Sequence, residues 1–259
     1  MDLGRLQLLL STVCFIGGFV YVLLALRSGS EAKYRSRVTL VFMGVGFLLQ
    51  TGFLYVRGQE VGRCPVTNRL ELLAFLSWAI VLYYFVVGSA FRLSLLGFFS
   101  YPVVIVLQGI AVAFLPPAEA AGGSEYWKEL HAGLALLSYG GFAMAGVAGV
   151  MFLVQEKHLK NQDLGGLFYS LPPIGYLSRA ILKLMVCGFV LLTLSIAAAY
   201  MMPEAPSNTK LLVAYAVWAL YALVLAVRWI RGLTARRFAG VAVGAFLLPL
   251  LTLWVVGNA

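Results

Sequence analysis

Residues 64–78 read CPVTNRLELLAFLSW, and this stretch runs from a polar segment directly into an apolar helix. Pro65 ends any helix that arrives from upstream, because its ring blocks the helical hydrogen bond and it has no N–H group. Thr67 or Asn68 can accept hydrogen bonds from the first free N–H groups of the next helix, and Glu71 falls in its first turn, where the helix dipole favours an anion. The pattern predicts a capped helix start. The pattern leaves open whether these polar residues also form a functional surface outside the membrane.

The composition is that of an integral membrane protein. Of the 259 residues, 62% are hydrophobic and 11% are charged, and the mean hydropathy is +0.93. Soluble domains have roughly 45–50% apolar and about 25% charged residues. The net charge of +9 would suggest a nucleic-acid partner in a soluble protein, but the basic residues here lie beside apolar runs, where membrane topology accounts for them. We therefore expect no nucleic-acid partner.

Eight apolar runs are long enough to cross a bilayer, which takes about 20 residues of helix. The predicted spans are 6–26, 38–56, 71–91, 94–115, 130–154, 184–202, 211–230 and 238–256. They predict an all-α, polytopic integral membrane helical bundle of about eight transmembrane helices. We divide the chain into residues 1–37, a first span with its loop, and residues 38–259, the main membrane domain. The weakly apolar stretch 155–183 is interpreted as a loop along the membrane surface.

The lysines and arginines predict the orientation. Of the 19, thirteen lie in the first, third, fifth and seventh connections, and six lie in the N-terminal segment and the even-numbered connections. Because basic loops remain in the cytoplasm, we expect the odd-numbered connections to be cytoplasmic and both termini to face the outer side. This orientation places three segments together on the outer side, namely residues 64–78, 116–131 and 203–210.

His131 is the leading candidate for a binding residue. It lies at the start of the fifth predicted span, whereas His158, the only other histidine, lies among charged residues and is interpreted as a solvated side chain. A polar ring near hydrocarbon needs a partner, because an unsatisfied group there costs several kcal/mol. His131 is therefore either a structural hydrogen-bonding residue or a metal ligand, and a neutral imidazole is a natural axial ligand of haem iron. One histidine supplies at most one such bond.

No conventional catalytic pattern is present. The sequence lacks HExxH, a Walker A loop, GxSxG with partner residues, and paired carboxylates within a span. We therefore expect no catalytic residues and a protein that is not an enzyme.

Small residues form a stripe on the fifth predicted span. The stripe consists of Gly133, Gly140, Gly141, Gly146 and Gly149. Such a stripe allows another helix or a flat ligand to approach closely, and the sequence leaves both alternatives open.

Four ordered segments resemble the cytochrome c assembly protein family, over about residues 40–257. Residues 64–78 resemble the family's FPLSNxxE…FLSW segment, and His131 followed by LSY at 137–139 resembles its histidine-led helix. Residues 177–193 and 218–237 match two later segments. The resemblance implies a multi-pass protein of a bacterial-type inner (plasma) membrane, in which the outer side that the basic residues predict for both termini is the periplasmic side. It would bind or deliver haem during c-type cytochrome maturation, with haem and other membrane proteins of cytochrome assembly as its partners.

The resemblance also implies a set of haem-binding residues. This set is His131, Asn68, Glu71, Trp78 and Lys210. His131 would be the axial ligand of the iron, and Pro65, Asn68, Glu71 and Trp78 would shape the outer end of the pocket. Lys210 resembles the final basic residue of the family's tryptophan-rich WWD loop. Arg63, Arg69 or Lys210 would meet the haem propionates.

Two departures distinguish this chain from the haem-handling members of the family. Residues 204–210 lack the tryptophan and aspartate of the WWD loop, and residues 254–259 lack a second outer histidine. These features resemble the HemX-type branch, which is linked to haem biosynthesis and membrane-complex assembly. The alternative function is therefore a non-catalytic membrane scaffold or a HemX-type regulator linked to haem biosynthesis. A small-molecule carrier is disfavoured, because the chain shows neither paired half-sequences nor broken helices at the midplane.

Overall fold

The computed structural model describes residues 2–28, 32–91, 95–119, 125–161, 171–203 and 208–256. Within these ranges the chain forms eight helices and no strand. The helices are α1 (Leu3–Arg27), α2 (Ala32–Val61), α3 (Arg69–Phe91), α4 (Leu96–Phe114), α5 (Tyr126–Lys160), α6 (Ile174–Ala199), α7 (Asn208–Ile230) and α8 (Ala235–Val256). Each contains a stretch long and apolar enough to cross a membrane. The prediction of an all-α polytopic bundle is confirmed, and the chain is a multi-pass membrane protein.

The helices coincide with the predicted spans but several are longer. The predicted surface loop 155–183 is wrong at both ends, because α5 continues to Lys160 and α6 begins at Ile174. Polar residues lower the hydropathy of a segment, but they do not by themselves end a helix. In the last turns of α5, Glu156 forms an ion pair with Lys160 at 3.0 Å, which stabilises the helix there. The middle of that loop, residues 162–170, lies outside the described residues. The division of the chain at residue 37 stays a prediction.

α5 packs against α3, α6 and α8, and α1 packs against α2 and α4. Glycines permit the closest of these contacts. A Cβ atom on Gly140 would lie 2.7 Å from the Ala79 Cβ of α3, and one on Gly149 would lie 2.8 Å from the Ala239 carbonyl oxygen of α8. Close helix packing thus accounts for this part of the glycine stripe, whereas a Cβ on Gly133 would meet open space.

Asn68 caps α3, as the sequence predicts. Its Oδ1 accepts hydrogen bonds from the N–H groups of Leu70 and Glu71, at 3.0 and 2.9 Å. The preceding helix ends at Val61, and Gly62 follows it with a φ of +77°, a conformation that glycine adopts without a steric penalty. The connection from α2 to α3 is therefore short and has defined ends.

Candidate functional site

A cavity of about 670 Å³ lies at one end of the bundle. Its lining comes from five places: residues between 63 and 72, between 125 and 139, between 192 and 202, between 210 and 215, and Thr252. These are the starts of α3, α5 and α7 and the ends of α6 and α8. The three segments predicted to meet on the outer side all contribute, so the structure brings them together. The volume is in the range of small-molecule sites, roughly 300–1,000 Å³.

His131 lines this cavity and is held against α6 by Ser195. The Ser195 carbonyl oxygen lies 2.8 Å from His131 Nδ1, and the Ser195 hydroxyl oxygen lies 3.0 Å from the same nitrogen. The hydroxyl also donates to the His131 carbonyl oxygen at 3.0 Å. Among the residues that the structure describes, every hydrogen bond of the imidazole involves Nδ1. The ring thus has the structural partner that its position requires, and Nε2 remains for another ligand.

The cavity combines apolar walls with a surplus of positive charge. The charged lining residues are Arg63, Arg69, Lys128 and Lys210, against Glu125 and Glu129. Lys128 forms an ion pair with Glu125 at 2.9 Å. The larger aliphatic lining residues are Val66, Leu72, Leu136, Leu192, Ile196, Leu211 and Val213. Such a site suits a ligand with an apolar body and acidic groups.

Three of the five predicted site residues lie at the cavity. Asn68, His131 and Lys210 line it, whereas Glu71 and Trp78 do not. Asn68 already uses its Oδ1 to cap α3. It therefore contributes shape to the wall, and Lys210 contributes charge.

Glu71 is instead fully buried in an ion pair with Arg57 of α2. Glu71 Oε1 lies 2.7 Å from Arg57 Nε, and the two side chains are 0% and 5% exposed. The other carboxylate oxygen accepts from the N–H and hydroxyl of Thr67 at 2.8 and 2.7 Å. Arg57 also donates to the carbonyl oxygens of Pro116 and Pro117, at 2.9 and 3.2 Å. This cluster ties together the end of α2, the start of α3 and the segment that follows α4.

Trp78 faces α2, away from the cavity lining. Its indole N–H donates to Thr51 Oγ1 at 2.9 Å, and its ring stacks on Phe47 with 5.4 Å between ring centroids. Trp78 lies seven residues beyond Glu71, which places it about 10 Å further along α3. The FLSW part of the segment therefore serves the packing of α3 on α2.

Cys64 lies in the connection between α2 and α3, and it lines the cavity. Burial raises the pKa of its thiol above the ordinary value, and the negative charges of Glu129 and Glu71 raise it further. Because the thiolate is the nucleophile and the metal ligand, a thiol held protonated is a poor choice for either role. His131 is therefore the better donor to a metal in this cavity.

Sequence reasoning gave Ser195 only a place among the small residues at the outer end of the sixth span, and it gave Arg57 no role at the site. Ser195 is 64 residues from His131, so no local pattern links the two. Arg57 follows an apolar run and resembles an ordinary loop charge. No local signal marks Arg57 either, because Gly58, Gln59 and Glu60 follow it as in an ordinary loop, and its partner Glu71 is 14 residues away.

The donor set suits a metalloporphyrin better than a bare metal ion. Within the described ranges, no three His, Cys, Asp or Glu side chains are grouped to hold a metal ion. A porphyrin brings its own equatorial nitrogens and needs only an axial ligand, which His131 can supply. The apolar walls match the macrocycle, and Arg63 and Lys210 match its carboxylates. The residues present therefore fit haem.

Comparison with known proteins identifies a family and several relatives. A family model described as cytochrome C assembly protein matches residues 66–258, which include His131, Ser195 and Lys210. The protein HemX of Bacillus subtilis is 27% identical over 228 residues, covering 83% of this chain and 82% of that protein. The protein HemX of Brevibacillus brevis is 31% identical over 166 residues, covering 62% and 60% of the two chains. The cytochrome c biogenesis protein CcsA of Gloeobacter violaceus is 30% identical over 128 residues, covering 47% of this chain and 38% of that protein.

Proposed function

Because the chain belongs to the cytochrome c assembly protein family, we propose that it binds haem in the end cavity and acts in the maturation of c-type cytochromes. One observation carries the proposal: His131 lines an apolar cavity with Nδ1 engaged by Ser195, so that Nε2 remains for a ligand. Haem is a flat, apolar group with two carboxylates and an iron that accepts axial imidazole. We treat haem as the cargo of this protein and assign the chain no catalytic residues.

In this proposal each part of the cavity recognises one part of haem. His131 would hold the iron through Nε2, and the aliphatic side chains of α5 and α6 would contact the macrocycle. Lys210 and Arg63 would pair with the propionates, since both are cationic and both line the cavity. Asn68 shapes the wall at the start of α3. Glu71 and Trp78 act indirectly, by holding α3 against α2.

Only one histidine can serve this cavity. His158 lies near the opposite end of α5, 27 residues from His131, which is about 40 Å along a helix. We propose that the iron receives one imidazole from this chain, so the haem is held more weakly than by two histidines. A weak hold suits a protein that passes its cargo to a partner.

We further propose that the cavity faces the outer side of a bacterial-type inner membrane. The excess of lysine and arginine in the odd-numbered connections supports this orientation, because the cavity is built from the even-numbered ones. Haem would then be held on the side where c-type cytochromes are completed. Other membrane proteins of cytochrome assembly are the expected partners.

A second candidate is a HemX-type regulator or scaffold linked to haem biosynthesis. Its support is the extent of the match to the Bacillus subtilis HemX protein, which covers 82% of that protein, against 38% of the Gloeobacter CcsA protein. The same cavity would then bind haem as a signal and not as cargo.

The optical spectrum of detergent-purified protein supplied with haem tests the haem site. We expect a Soret band in the wild type that shifts on reduction, and that is lost or shifted in His131→Ala. His158→Ala is the matched control, since it removes the other imidazole at the opposite end of α5 and should leave the spectrum unchanged. A wild type that stays colourless, or equal effects of the two variants, would refute the assignment.

A further inference from the structure

We infer that Ser195 positions His131 for metal binding by fixing which of its ring nitrogens carries the proton. The inference rests on the proposed function, because it concerns the nitrogen that the haem iron would use. A neutral imidazole has one protonated nitrogen and one with a free lone pair, and only the second can bind a metal. The tautomer therefore decides whether Nδ1 or Nε2 is the ligand.

The Ser195 carbonyl oxygen makes Nδ1 the protonated nitrogen. The two atoms are 2.8 Å apart, and a carbonyl oxygen can only accept a hydrogen bond. In the other tautomer the Nδ1 lone pair would face this oxygen with no proton between them, and the contact would be repulsive. Nδ1–H therefore donates to the Ser195 carbonyl, and Nε2 keeps its lone pair.

The Ser195 hydroxyl strengthens this choice. It donates its proton to the His131 carbonyl oxygen at 3.0 Å, which turns an oxygen lone pair toward Nδ1, also 3.0 Å away. Ser195 is fully buried, so solvent does not compete for the hydroxyl proton. Nδ1 thus meets two acceptors and no donor.

His131 therefore presents the lone pair of Nε2 before a metal binds. Partners that orient a metal-binding histidine usually contact the nitrogen that does not bind the metal, and a backbone carbonyl is a common partner of this kind. Here the partner is Ser195 on α6, and the histidine is on α5. The contact also fixes the direction of the ring relative to both helices.

Nitrogen-15 NMR of the protein without haem tests the tautomer. The chain has two histidines, so His158→Gln leaves His131 as the single imidazole in full-length, histidine-labelled protein in detergent micelles. We expect Nδ1 at the chemical shift of a protonated, pyrrole-type nitrogen and Nε2 at that of an unprotonated, pyridine-type nitrogen. The reverse assignment would overturn the inference.

Ser195→Ala tests the hydroxyl, and Ser138→Ala is its matched control. Ser138 is also fully buried and donates across the same α5–α6 interface, to the Gly188 carbonyl oxygen at 2.7 Å. We expect Ser195→Ala to keep Nδ1 protonated, because the backbone carbonyl remains, but to shift the Nδ1 signal through the loss of one acceptor, whereas Ser138→Ala should leave the signal in place. Ser195→Thr, which retains the hydroxyl, should leave the Nδ1 signal in place and separates the loss of this acceptor from a loss of folding. Identical spectra for the two alanine variants would overturn the role of the Ser195 hydroxyl.

Zinc protoporphyrin separates this inference from the proposed function. It is diamagnetic and its zinc accepts an axial nitrogen, so NMR reports on the ligand directly. We expect its addition to shift the Nε2 signal of His131 while Nδ1 keeps its pyrrole-type shift. Coordination through Nδ1 would overturn the positioning inference while the porphyrin site stands. A protein that binds no porphyrin but shows the expected tautomer would support the positioning of His131 and overturn the haem site.

Discussion

Arg57 Nε and Glu71 Oε1 lie 2.7 Å apart, in an ion pair whose side chains are almost completely buried. The pair joins α2 to α3 beside the cavity, and Arg57 also holds the segment that follows α4 through two carbonyl oxygens. Two charges taken out of water are stable only while each satisfies the other. The position of the α3 start, which forms one wall of the cavity, therefore depends on this pair.

Glu71→Ala is expected to destabilise the protein strongly. It leaves the Arg57 guanidinium buried without its carboxylate, which costs about 3–5 kcal/mol. Chemical unfolding in detergent micelles measures the change. Glu60→Ala is the matched control, because Glu60 lies 3.9 Å from the same arginine and its side chain is 34% exposed. A partly exposed ion pair of this kind contributes about 0–1 kcal/mol to stability. Equal effects of the two substitutions would therefore contradict the role of Glu71 as the buried partner of Arg57.

Gly140→Ala is expected to loosen the contact between α5 and α3. The added Cβ would lie 2.7 Å from the Ala79 Cβ and 3.2 Å from the Ala79 carbonyl carbon, so the helices must move apart. Overpacking of this kind costs about 1–3 kcal/mol. Gly133→Ala on the same helix meets nothing within 4 Å and should be neutral or slightly stabilising. Thermal unfolding of both variants makes the comparison, and a Gly140→Ala protein as stable as Gly133→Ala would show that the contact is looser than described.

Lys210→Ala is expected to weaken haem binding about tenfold, the value of one charge-assisted hydrogen bond of roughly 1.5 kcal/mol. Haem titration followed by absorbance measures the affinity. Haem dimethyl ester has no carboxylates, so the wild type and Lys210→Ala should bind it equally. Lys160→Ala, at the opposite end of α5, should leave both affinities unchanged. If Lys210→Ala weakened binding of the ester as much as that of haem, Lys210 would contribute shape and not charge.

Cys64 is expected to react with iodoacetamide only at a pH above that needed by an exposed thiol. Burial and the carboxylates of Glu129 and Glu71 raise its pKa, so at a given pH less of the reactive thiolate is present. Alkylation rates against pH, in a chain with Cys14 and Cys187 replaced by alanine, give the profile. Glu129→Gln removes one negative charge and should shift the profile to lower pH. A profile that Glu129→Gln leaves in place would argue against a charge effect from Glu129.

The orientation predicts which end of the bundle a membrane-impermeant maleimide can reach. With the three native cysteines replaced by alanine, Lys210→Cys should be labelled in intact cells, because it lies at the cavity end. Arg231→Cys, in the connection between α7 and α8, should be labelled only after permeabilisation. The opposite pattern would place the cavity in the cytoplasm and exclude haem binding on the outer side.

The sequence alone determined the number of spans, their approximate bounds and the cap of α3. Hydropathy is summed along the chain, and a cap depends on residues within one turn, so both are local properties that a sequence displays directly. The sequence also predicted that residues 64–78, His131 and Lys210 would meet at one end. Each span crosses the membrane once, so every second connection lies on the same side. Within the fold, the helix ends were misjudged, as in α5 and α6, where polar residues continue a helix beyond its apolar run.

Only the tertiary structure decided which side chains meet. It paired His131 with Ser195 and Arg57 with Glu71, and it turned Trp78 toward Phe47 and Thr51 instead of the cavity. Such pairings depend on the rotation of each helix about its axis and on its height relative to its neighbours. In a bundle that is apolar on most faces, the hydrophobic pattern does not encode that rotation. Close packing at residues such as Gly140 sets it, and this contact exists only once both helices are in place.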